Sequence, residues 1–219
     1  MTFRPGNSQR TARPAQNRSA GDNERAGLDA FNGLADDAAR HALLSCCSAT
    51  RWAAAVAEGR PYLSLSELLS ESDVAGAALT EADLRAALAG HPRLGDQPAA
   101  PATQPVGAAS SRPTSSGDGM GWSRQEQAGV STAGPDTLRA LAEGNAGYER
   151  QFGHIYLACA TGRNAADLLT FLTDRLNNDR DAEWRVVAAE LAKINRIRLG
   201  KLLAGLADQA DSADRAEPS

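Results

Sequence analysis

The sequence predicts an all-α protein, a compact single-domain helical bundle, and three features of the chain lead there. Between about residues 27 and 207 the apolar residues recur at spacings of three and four, the period of an amphipathic helix. Alanine and leucine are in excess, whereas the Val, Ile and Tyr runs that strands favour are few. Several periodic stretches also open on Ser, Thr or Asn with an acidic residue three positions later, which is how a helix caps its own first turn.

Residues 1–26 carry Arg4, Arg10, Arg13 and Arg18 among Ser, Asn, Gln, Gly and Pro with no apolar period, and are expected to form a disordered tail without the apolar centre of a secretory signal. A first helix is expected from near Asp36 through Leu43 and Leu44. A second covers Trp52, Ala55 and Val56 and stops at Gly59-Arg60-Pro61-Tyr62. Ser64 to about Leu69 reads as a short helix. Thr80, with Asp83 three residues on, opens another that carries Leu84 and Leu88 on one face and delivers the chain to His91.

Residues 97–120 consist of Pro, Ala, Ser, Thr and Gly with almost no large apolar side chain, and read as a flexible insertion inside the domain. Such an insertion need not divide the fold, because closure entropy grows only logarithmically with loop length. From Asp136, Leu138, Leu141, Asn145, Tyr148 and Phe152 form one continuous helix face on which Asn145 is the polar exception. The run from Phe152 to Arg163 has the character of a strand with no hairpin partner, so its backbone groups must be met by protein, water or a ligand. Asn164 and Asp167 cap a helix through Leu168, Leu172 and Leu176, and a last helix is expected from Asp181 to Leu206. Residues 208–219 are polar and small and read as a second disordered tail.

Bulk properties exclude several classes. A net charge of -4 across 219 residues, with a pI near 5.4, lacks the basic patch of a nucleic-acid surface. No run of about 18 apolar residues is present to span a membrane. Cys46, Cys47 and Cys159 offer neither a paired framework nor zinc spacing, which fits reduced thiols in a cytoplasmic protein.

Three residues stand out as chemically placed. His91 follows Gly90, which can close a helix in the left-handed conformation, and precedes Pro92, which disfavours helical geometry before it. Its ring should therefore project from a stiff turn, although histidines in turns more often cap helices or face solvent. Glu126 lies three residues after Ser123, so it is either the far end of a capping box or a free carboxylate. Arg198 falls in the middle of the stripe Val187, Leu191, Ile194 and Leu202, where it must pair, snorkel or bind an anion; Arg196 falls on the opposite, solvated side. His154 has no carboxylate or cysteine at ligand spacing and reads as a packing or surface residue.

Four motifs in order resemble the OHCU decarboxylase family, whose members convert 2-oxo-4-hydroxy-4-carboxy-5-ureidoimidazoline to (S)-allantoin in urate breakdown. They are His91-Pro92-Arg93-Leu94-Gly95; Ser123-x-x-Glu126-Gln127-x-Gly129; Asn145-x-x-Tyr148-x-x-x-Phe152-Gly153 leading into Tyr156 to Arg163; and Ile194-x-x-Ile197-Arg198-Leu199. The resemblance runs from about Leu28 to Leu203. It implies a helical bundle that uses no metal or organic cofactor, with a small-molecule substrate and no nucleic-acid or membrane partner. It implies catalytic roles for His91, Glu126 and Arg198. It implies substrate contacts from Pro92, from Ser123, Arg124, Gln125 and Gln127, and from the backbone of Tyr156, Leu157, Ala158, Cys159 and Ala160. With the apolar helix faces it is also compatible with a homodimer. The insertion between His91 and Ser123 is longer than the resemblance leads one to expect. The competing readings are an acid-base enzyme acting on another small ureido or imidazole compound, and a non-catalytic helical interaction module.

Overall fold

The computed structural model describes residues 19–95, 122–123, 125–126, 128–131 and 133–216, and they are helical with irregular connections. The tail 1–18, the insertion and the last three residues fall outside them.

Helix α1 (Ala20–Asn32) begins inside the stretch read as a tail. Ser19 and Asp22 form a reciprocal capping box there, and Leu28 and Phe31 are buried. This start is hard to see in the sequence because the first two turns are polar and only the third reaches the core. Gly27 explains how closely α1 docks: a Cβ added there would sit 2.2 Å from the Leu203 carbonyl oxygen. Any side chain at this position would push the two helices apart.

Helices α2 (Asp36–Cys46) and α3 (Thr50–Glu58) pack against each other. Trp52, fully buried on α3, donates its indole N–H to the Ser72 carbonyl and hydroxyl at 3.2 and 3.3 Å. That contact accounts for α4 (Leu65–Ala77) running well past Leu69, since Ser72 and Asp73 are poor helix formers that tertiary packing overrides. Helix α5 (Glu81–Ala89) starts at the Thr80–Asp83 capping box.

After the insertion come helical residues 122–123 and 125–126 and the short α6 (Ala128–Ser131), then α7 (Pro135–Phe152), α8 (Ala165–Arg175) and α9 (Arg180–Ala216). Asn164 and Asp167 cap α8 as the sequence suggests. Helix α9 continues through the stretch read as a second tail. Ala207 is the last residue seen buried among those described, and beyond it the helix propagates on one hydrogen bond per added residue, helped by an Asp211–Arg215 contact one turn apart.

Two apolar clusters form the interior. The larger gathers α1 to α5 around α9; the smaller joins α7 and α8 with Leu94 and Val130. Between them runs the segment 155–160, and its side chains alternate. Ile155, Leu157 and Cys159 pack in or against the larger cluster, and Tyr156, Ala158 and Ala160 in the smaller. This is the period of two expected of a strand, adopted without a partner strand among the described residues.

Candidate active site

The His91 turn is built by three tethers. His91 N–H donates to Leu88 O at 3.0 Å, continuing the end of α5. Arg93 forms a two-pronged pair with Glu149 of α7 at 2.5 and 2.7 Å, and this pairing holds the Glu149 carboxyl below its usual range. Asn145, one helical turn earlier, donates to the Leu94 carbonyl at 2.8 Å, so the polar exception on the α7 face bonds within the core. Gly90 differs from its expected role. Its φ of -86° is right-handed, and glycine suits the position because an added Cβ would lie 2.1 Å from Ser48 Oγ and force that side chain to shift.

The imidazole is oriented by its backbone contact. Nδ1 lies 3.0 Å from the Ala87 carbonyl oxygen, which can only accept, so Nδ1 carries the proton and Nε2 presents a lone pair. The residue retains some exposure, but Nε2 itself is buried with no hydrogen-bond partner among the described residues. Burial, reinforced by the nearby Arg198 charge, lowers the pKa of His91 to about 4 against the opposing pull of Ala87 O and Glu126. At neutral pH the group is an uncharged base.

Arg198 enters from α9 and is 2% exposed. Nε and Nη2 grip the two oxygens of Glu126 at 3.3 and 3.0 Å; Nη2 also reaches Ser123 Oγ at 2.8 Å, and Nη1 reaches Cys46 O at 3.0 Å. Lys201 adds a third contact to Glu126 at 3.2 Å. Burial on its own would raise the Glu126 carboxyl, but hydrogen bonds and charge from Arg198 and Lys201 outweigh it, and the carboxyl titrates below its ordinary range. The capping reading of Glu126 gives way to this ion pair, because a partly buried carboxylate facing two cations gains more there than from one amide.

His91, Pro92, Ser123, Glu126 and Arg198 line one small cavity together with Tyr156 to Thr161, Leu94 and Ile194. An adjoining cleft, which shares Glu126, Ala160 and Thr161 with it, holds Gln125. Gln125 is exposed and lines this outer cleft rather than the inner cavity, because a residue adjacent to Glu126 on a helix points elsewhere. Arg124 and Gln127 lie outside the described residues. The backbone of 156–160 is also less free than expected. Leu157 O accepts from Arg175 and Cys159 N–H donates to Glu190.

A family model for OHCU decarboxylase matches residues 32–200. The chain belongs to the OHCU decarboxylase family. It is 27% identical over 170 residues to the uric acid degradation bifunctional protein TTL of Arabidopsis thaliana, covering 77% of this chain and 48% of that protein. The chain thus spans about half the length of this curated relative. Among solved structures, an OHCU decarboxylase crystallised in the presence of (S)-allantoin is similar at a TM-score of 0.59, with 23% identity over 78% of this chain and 99% of that one. An (S)-allantoin synthase gives a TM-score of 0.56, with 13% identity over 80% of this chain and 53% of that one. At these identities the two structures speak for a shared helical fold.

In this family member, Lys201 is the site residue that sequence reasoning passed over. Its position three residues after Arg198 places it on the same flank of α9, a spacing signal available in advance. Elsewhere, His154 stacks against Trp184 with ring centroids 4.2 Å apart, and Arg196 pairs with Asp73 on the surface.

Proposed function

We propose that this chain is a cofactor-independent decarboxylase that converts 2-oxo-4-hydroxy-4-carboxy-5-ureidoimidazoline to (S)-allantoin and carbon dioxide in urate catabolism. The observation that carries the reading is the bare, uncharged Nε2 of His91 lining one cavity with the Arg198–Glu126 pair. The helical body around that cavity is read as one catalytic unit, with 97–120 counted as an insertion within its sequence.

The substrate holds a hydroxyl and a carboxylate on one ring carbon beside a C=N bond. When the bond to the carboxylate breaks, its electron pair moves into a new C=C bond as the C=N electrons pass to nitrogen, which takes up a proton. The hydroxyl proton then leaves as the oxygen becomes a carbonyl, and the former C=N carbon gains a hydrogen. Overall one proton is consumed. His91 Nε2 accepts the hydroxyl proton and, as the imidazolium, returns it to carbon from a single face, which fixes the S configuration. Arg198 keeps Glu126 ionised and aimed, and Glu126 accepts from the substrate hydroxyl or ring N–H groups. Of the five N–H donors of the Arg198 guanidinium, one on Nη1 is not engaged by the contacts above and is available to developing negative charge.

Cytosolic residence is part of the same reading. Its support is that Cys46, Cys47 and Cys159 are all buried and unpaired, and that no described helix is long and apolar enough to cross a membrane. A homodimer is part of the same reading, on the family resemblance and the apolar helix faces.

The test generates the substrate in situ from urate and follows circular dichroism. Spontaneous decay yields racemic product, so the protein should produce an optically active signal; a trace matching the protein-free control would sink the proposal.

The low pKa of His91 also predicts a stability profile. Its folded value, about 4, lies below the ordinary 6.5, so between these two the unfolded chain binds a proton that the folded chain does not. Stability is therefore full above pH 6.5 and falls as pH drops toward 4, by about 3 kcal/mol from this group. Urea midpoints should show this slope in the wild type and a flatter one in His91→Asn. Identical slopes would mean that His91 titrates normally.

A further inference from the structure

Two buried charges take no part in the mechanism above. Arg175 on α8 and Glu190 on α9 are each 2% exposed, and each makes one hydrogen bond with the backbone segment that lines the cavity, Arg175 as donor and Glu190 as acceptor. Arg175 Nη1 donates to Leu157 O at 2.6 Å, and Cys159 N–H donates to Glu190 Oε2 at 2.8 Å. Both are braced from behind. The Arg175 Nε and Nη2 groups donate to Glu183, which also accepts from Tyr148 Oη and Asn178 Nδ2; Glu190 accepts from Arg163 and Lys193.

A trans peptide is planar, so its C=O and N–H point in opposite directions. With Leu157 O turned to Arg175, the N–H of Ala158 in the same peptide points the other way. With Cys159 N–H turned to Glu190, the Ala158 carbonyl in that peptide does likewise. Ala158 therefore presents a donor and an acceptor side by side on the unclamped edge, and the alternation of side chains along 155–160 puts the Ala160 N–H on that edge too, about 6.7 Å further on. Ala160 O is taken by Arg163 N–H at 3.0 Å, whereas these three groups have no protein partner among the described residues. The signs of the clamping charges matter as well. A cation on Leu157 O makes Ala158 N–H a better donor, and an anion on Cys159 N–H makes Ala158 O a better acceptor.

The family resemblance already assigns the backbone of 156–160 to the substrate; we propose that Arg175 and Glu190 are the positioning residues that fix and polarise its free edge, so that Ala158 N–H and C=O are held ready for an N–H/C=O unit of a ureido or cyclic-amide ligand. The pairing is that of a strand added to a sheet edge. This rests on the decarboxylase reading above.

Residue-resolved amide exchange of the wild-type protein, with and without (S)-allantoin, tests the edge directly. Slowing is expected at Ala158 and Ala160 N–H, with Cys159 N–H protected in both states; no slowing at Ala158 would overturn the proposal. Kinetics test the clamp. Glu190→Ala should raise KM ~10-fold, the effect of one misaligned hydrogen bond, with kcat changed far less. Glu190→Gln, which keeps an oxygen for Cys159 N–H, should restore KM to within about twofold. A folded Glu190→Ala protein with wild-type KM would refute the positioning role alone. Absence of stereoselective turnover in the wild type would instead remove the reading beneath it, and this inference with it. If Glu190→Ala does not fold, the exchange result on the wild type decides.

Discussion

Replacing His91 with asparagine is expected to lower kcat by ~10²–10⁴-fold, the usual contribution of a well-placed acid-base group, while leaving the helical fold intact. Asparagine is a discriminating choice because its amide can still donate to Ala87 O, as Nδ1 does, yet nothing replaces the Nε2 lone pair. The tether of the turn through Arg93–Glu149 and Asn145–Leu94 is untouched, so any loss reports chemistry rather than a collapsed loop. Steady-state turnover by circular dichroism checks the loss, and far-ultraviolet spectra check the fold. A variant that turned over normally would remove His91 from the mechanism.

The second large effect is expected at Arg198. In Arg198→Lys the charge remains, but an ammonium cannot hold both Glu126 oxygens while also reaching Ser123 Oγ and Cys46 O. Glu126 would then shift under the pull of Lys201, and displacement of a catalytic group by about 1 Å costs on the order of 10²-fold in rate. We expect kcat/KM to fall by about that factor. The companion measurement is chemical denaturation. Unchanged kinetics with a lowered midpoint would make the pair purely structural, since the buried groups that lose a donor carry a stability cost in either case.

What the sequence revealed followed the range of the interactions involved. The capping boxes at Thr80–Asp83 and Asn164–Asp167 are contained within four residues, and local chemistry settled them. Arg198 was visible as a charge in an apolar stripe, but its partner Glu126 lies 72 residues away across an insertion, and no spacing rule joins the two. At Gly90 the sequence suggests conformational freedom, whereas the structure shows the close approach of Ser48, a contact between distant parts of the chain. The alternation along 155–160 was legible as strand-like character. The buried charges that occupy its inner edge were not, because Arg175 and Glu190 sit on helices whose faces can be ranked for polarity but not paired across the fold by periodicity. The ends of α1 and α9 escape sequence patterns for a related reason: helices propagate past the point where burial stops, and polarity alone marks only where burial stops.

The alternating segment has a consequence for cooperativity. Because neighbouring residues of 155–160 belong to different apolar clusters, the cavity they line is a shared boundary and exists only while both clusters are assembled. A sub-global opening that separates α7 and α8 from the rest would dissolve the binding surface before either cluster melted. A molecule bound at that boundary ties the two folding units together. Its binding free energy is added to the work of parting them, and occupancy makes the protein unfold more nearly as one body.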